Sequence, residues 1–164
     1  MCDGRTFKLF HMNSTKLIPL ITRYAGFTSL ALLVYFLFMK LLNLSTVVEL
    51  RFLNFFIMFI GIRYFILRLK KENNGTLDYL QSLAYGFIVA VLTSVLFSAF
   101  MFTYLSYIDH AMLEHLQLNQ PFGEYLTPGS AAVVLILEGS ASGAIIAFAL
   151  VQFMGRENKV AQAD

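Results

Sequence analysis

Glu138 is a carboxylate in the middle of a long apolar run, the position at which this chain's residue types most clearly invite chemistry. It lies about eight residues into the segment 130–154, roughly 12 Å along a helix rising about 1.5 Å per residue. An ionised carboxylate at that depth in a bilayer costs at least a few kcal/mol unless it meets a cation or polar group, or takes up a proton. Arg51 and Lys40 stand at the same end of neighbouring apolar runs and are the candidate cations. Glu138 with Arg51 is therefore the expected intramembrane polar pair or ion site.

A second group, Asp109, His110, Glu114 and His115, follows the third apolar run. On a short helix His110 and Glu114 share a face, whereas His115 is turned by about 140° from His110. A closed zinc site wants three or four convergent ligands. His110, Glu114 and His115 are thus loose metal candidates, and the expectation is no metal. The alternative is an amphipathic turn at the membrane surface that dips Met112, Leu113, Leu116 and Leu118 into the apolar zone. No phosphate-binding glycine loop, no Ser-His-Asp or Cys-His set and no HExxH is present. The expectation is a protein without cofactor and without enzymatic activity.

Four apolar runs must position these residues, at about 17–39, 47–69, 83–107 and 130–154. Each reaches the roughly 20 residues that a helix needs to cross about 30 Å of hydrocarbon. The apolar fraction of the 164 residues is 58% and the charged fraction 13%, about half the charged share of an average soluble domain. Seventeen Phe and eight Tyr without Trp leave Tyr as the interfacial aromatic. A net charge of +2 gives no reason to expect nucleic acid. One cysteine, Cys2, excludes an intrachain disulfide and a cysteine metal cluster. The expected fold is all-α, an antiparallel bundle of four transmembrane helices at 17–154. A lead at 1–16, in which Met12 is an alternative start to Met1, and a tail at 155–164 flank it.

Basic residues set the expected orientation. Arg5, Lys8, Lys16 and Arg23 precede or open the first run; Arg63, Arg68, Lys70 and Lys71 gather around the second connector; Arg156 and Lys159 follow the fourth run. Only Lys40 and Arg51 fall on the other side, so ten of the twelve basic residues mark one side. Under the positive-inside rule both termini face the cytoplasm. Pro19 is expected in the first turn of helix one, where its missing N–H costs little. Arg23 and Arg63 read as snorkelling anchors, and Asp78 with Gln81 as a capping box.

Ser82, Gly86, Ala90, Ser94 and Ser98 recur every fourth residue in the third run, and Gly139, Gly143 and Ala147 do so in the fourth. Residues so spaced share a helix face, and small ones let backbones approach closely in lipid. These two stripes are expected to pack on each other, the alternative being contact with another chain.

One stretch, 57–114, is similar to a four-span membrane family catalogued as domain-of-unknown-function family 4199. The resemblance rests on Gly61, the basic exit from Arg68 to Gly75 and the following Thr76-Leu77-Asp78-Tyr79-Leu80-Gln81-Ser82-Leu83-Ala84-Tyr85-Gly86. It continues in Tyr104, Tyr107-Ile108-Asp109 and Leu113-Glu114. Here His110 stands where the family usually has Pro, and the third connector is shorter and free of Lys and Arg. The resemblance implies a four-span architecture in a bacterial inner membrane and no assigned activity. With little chain outside the spans, the expected function is a structural or accessory subunit of a larger membrane complex or homo-oligomer. Its partners would be membrane lipids and other membrane subunits or itself. The alternative is a small transporter or a proton or ion pathway using Glu138.

Overall fold

The computed structural model describes residues 14–42, 51–73, 79–119 and 123–160. Five α-helices follow in order: α1 (Ser14–Leu41), α2 (Arg51–Glu72), α3 (Tyr79–Tyr107), α4 (His110–Asn119) and α5 (Pro128–Val160). A single 3-10 turn, Gly123–Tyr125, separates α4 from α5. Four helices are long and apolar enough to cross a membrane, over Leu17–Leu41, Phe52–Glu72, Tyr79–Tyr107 and Pro128–Met154. They pack into an antiparallel four-span bundle. The segment 47–50, read from sequence as part of the second span, lies outside the described residues, as do Asp78 and its expected cap.

Backbone polar groups cannot be left open in hydrocarbon, so each apolar run closes its own hydrogen bonds as a helix. The hydroxyls inside the spans follow the same demand. Thr28 donates to the carbonyl of Tyr24 at 2.8 Å, Thr93 to Val89 at 2.8 Å and Ser94 to Ala90 at 2.8 Å. α1 begins at Ser14, so Pro19 sits five residues inside it and not in its first turn. The ring there forgoes the hydrogen bond to the carbonyl one turn back. α5 opens on a built cap: Ser130 N donates to Thr127 Oγ1 at 3.1 Å, and Thr127 N to Ser130 Oγ at 2.8 Å. Pro128 fills the next position, where no N–H is needed.

Around the bundle the neighbours run α1, α2, α5, α3, with α2 also touching α3. α3 and α5 are the most extensively joined pair, and glycine is the reason. A Cβ built on Gly143 would collide with that of Ala90, and one on Gly139 with the Ser94 side chain. One on Gly86 would come within 3.2 Å of the Ala147 methyl. The two small-residue stripes thus lie against each other in antiparallel register, Gly86 by Ala147, Ala90 by Gly143 and Ser94 by Gly139. Beyond them Ser98 Oγ donates across to the carbonyl of Ala132 at 2.7 Å. At the α1–α2 crossing, Gly61 makes room for Thr28 in the same way.

The core is not evenly distributed along the bundle. Ile62, Phe65 and Leu69 of α2 with Val89 of α3 and Ile146 of α5 are fully buried toward the half nearer the start of α1 and the end of α5, and Leu105 of α3 is fully buried toward the other end. Tyr24 packs edge-on to Phe65 in the first of these halves at 5.8 Å between centroids. Toward the other end α2 contributes Phe52, Leu53, Phe55 and Phe56, all exposed. At that end α2 parts from the bundle, whereas α1 and α3 stay packed, with Met39, Met101, Tyr104 and Leu105 buried.

Candidate functional site

In the parted half a cavity of about 360 Å³ lies among the four spans. α2 lines it with Phe52, Asn54, Phe55 and Met58, and α5 with Leu135, Glu138, Gly139 and Ser142. Ser94 and Phe97 of α3 and Leu32 of α1 complete the wall. The lining is mostly apolar with a few convergent polar groups, the usual make-up of a small-molecule site.

Glu138 lies ten residues beyond the first residue of α5, about 15 Å along the axis. No other carboxylate is found within the four spans except Glu72 at the end of one. The residue is exposed, and among the described residues its carboxylate has neither hydrogen bond nor ion pair. Helix geometry brings it here: Gly139, the next residue, is pressed onto Ser94, which turns Glu138 to the α2 side of that contact.

One of the two candidate cations, Lys40, is elsewhere. Lys40 pairs with Asp109 Oδ2, 69 residues away, at the corner where α3 gives way to α4. Asp109 Oδ1 accepts from Met112 N at 2.9 Å and so caps α4, while Tyr104 Oη donates to Oδ2 at 3.4 Å. The Lys40 ammonium beside it, then the Met112 amide, hold the Asp109 carboxyl below its ordinary value. Lys40 therefore ties the end of α1 to the α3–α4 corner and is not the partner of Glu138. Arg51 is the first residue of α2, three positions before Asn54; its side chain lies outside the described residues.

Sequence reasoning missed Asn54. It lines the cavity, and its Oδ1 is buried without a hydrogen-bond partner among the described residues. A lone amide near the start of a span reads as interfacial, and the signal that could have flagged it is a polar residue between Phe52 and Phe55 in an otherwise apolar run. The other cluster is described only in part. Glu114 is exposed, the side chains of His110 and His115 lie outside the described residues, and no three metal-ligating side chains converge among those described. α4 is instead held to the loop before α5, with Gln117 Nε2 donating to the carbonyl of Leu126 at 2.8 Å.

Four apolar spans define a multi-pass membrane protein. The chain belongs to the family described as protein of unknown function (DUF4199), which matches residues 23–121. That match takes in Lys40, Asn54 and Asp109 and ends before α5, the helix that carries Glu138. No curated protein and no solved structure matches the chain.

Proposed function

We propose that this protein is a small transporter that passes a proton or a small cation through a site centred on Glu138. The observation that carries the reading is the setting of that carboxylate. It stands within a span, at the wall of a cavity, with no cation from the described residues against it. In lipid such a group demands a proton or a positive partner, and a cavity lets that partner come and go. In this reading the chain binds and moves its cargo without covalent change and needs no cofactor. The ten basic residues on one side support a bacterial inner-membrane orientation with both termini in the cytoplasm.

Reconstitution into phosphatidylcholine vesicles with an internal pH indicator and an imposed potassium–valinomycin potential tests it. Protein-dependent proton flux that falls at least tenfold in Glu138→Gln is expected. Flux equal in the two proteins, or none above empty vesicles, removes the reading.

The accessory-subunit reading keeps one specific observation in its favour. The small-residue faces that suggested docking are used up between α3 and α5, yet the outer side of α5 still exposes Val133, Val134, Leu137, Ile145 and Phe148. A partner subunit or second copy would cover them. Purification in mild detergent should then retain a second chain, and a solitary monomer counts against this alternative.

A further inference from the structure

We infer that the cavity between α2 and α5 takes an organic ammonium, a cation carrying N–H groups on an apolar body. This rests on the transporter reading and names the class of its cargo.

The charged group and the π-rich groups at the site favour positive charge. Glu138 offers a carboxylate with no positive partner among the described residues. Asn54 stands in the same wall with its Oδ1 covered and without a donor among the described residues; a turn of that side chain into the cavity lets an incoming N–H recover the free energy that leaving the atom unsatisfied costs. Phe52, Phe55 and Phe97 add three phenyl rings to the wall, whose negative faces attract cations. Nothing in the described lining carries positive charge. A bare inorganic cation would make poor use of this wall, because most of the site is hydrocarbon and offers few oxygens to replace a hydration shell. A cavity of about 360 Å³ instead fits a ring or short chain attached to the charged nitrogen. An anion is repelled by Glu138, and a neutral apolar molecule leaves both acceptors unanswered.

The nitrogen must carry hydrogen. A quaternary ammonium satisfies the carboxylate and the rings but has no donor for Asn54. The same chemistry is available from two sources, a free lipophilic amine or the ethanolamine headgroup of a phospholipid.

Equilibrium dialysis of the full-length protein in phosphatidylcholine nanodiscs, with empty nanodiscs subtracted, tests the inference with three probes. Phenethylammonium is expected to bind saturably. Its N-trimethyl form should bind three- to tenfold more weakly, and phenethyl alcohol at least tenfold more weakly. Glu138→Gln should weaken phenethylammonium at least tenfold, with Glu138→Asp recovering part of it. Asn54→Leu should erase the preference over the trimethyl form while leaving thermal melting near wild type. Equal binding of amine and alcohol, or binding indifferent to Glu138→Gln in a protein that melts normally, overturns the inference. Nanodiscs half composed of phosphatidylethanolamine separate the sources: loss of phenethylammonium binding identifies the headgroup as occupant, and its retention identifies a free amine. Proton flux through Glu138 without amine binding would overturn the cargo class and leave the transporter standing. Amine binding without flux would do the reverse.

Discussion

Asp109 performs two tasks at one corner, receiving the Lys40 ammonium on one oxygen and the Met112 amide on the other. Substitution can separate them. Asparagine caps a helix about as well as aspartate, so Asp109→Asn removes the ion pair alone and should cost about 0.5–1 kcal/mol, the range for a partly exposed pair. Asp109→Ala also removes the cap and should cost about 1 kcal/mol more. Thermal melting in detergent micelles at neutral pH measures both. The pH dependence has a definite sign. Because Lys40 lowers the Asp109 carboxyl in the folded chain, its contribution is whole above about pH 4 and fades as acidity carries the solution through the lowered value. The gap in melting temperature between wild type and Asp109→Asn should therefore shrink below about pH 4. This contact was not legible in the sequence. Lys40 and Asp109 are 69 residues apart, and the more conspicuous acid, Glu138, drew both cations in any argument made from spacing alone.

Helices are where the sequence spoke most clearly. Four apolar runs of sufficient length became four spans, because in hydrocarbon the demand for internal hydrogen bonds leaves little choice of structure. In the contact of α3 and α5 the small residues of the two helices meet, since only small side chains permit that approach. What spacing could not supply was the gap between α2 and α5. That gap lies where Phe52, Phe55 and Phe56 of α2 are exposed, whereas Ile62, Phe65 and Leu69 are buried toward its other end. Asn54 went unnoticed because an amide near the start of a span reads as interfacial. A pair of glycine substitutions tests the helix contact. Gly143→Val places methyls where Ala90 already sits and should cost about 1–3 kcal/mol by overpacking. Gly26→Ala, with nothing within 4 Å of the new methyl, should be neutral or stabilising by up to about 1 kcal/mol. Denaturant unfolding in mixed micelles reads the opposite signs.

For the molecule as a whole, the alternating course of α1, α2, α3 and α5 puts the start of α1 and the end of α5 at the same end of the bundle. On the orientation proposed from the basic residues, Cys2, the single cysteine, becomes a native topology probe. A membrane-impermeant maleimide should label it in inverted vesicles and not in intact spheroplasts; the opposite pattern would reverse the orientation. The uneven core has a further consequence. A clothes-peg keeps its spring at one end and its jaws at the other, and the same division of labour holds here. Random substitution should find the spring unforgiving, because each lost methylene there loosens the grip of all four rods. The jaw formed by the exposed Phe52, Leu53, Phe55 and Phe56 of α2 should accept wide replacement with little loss of melting temperature, so that what this protein grasps can be altered without rebuilding what holds it together.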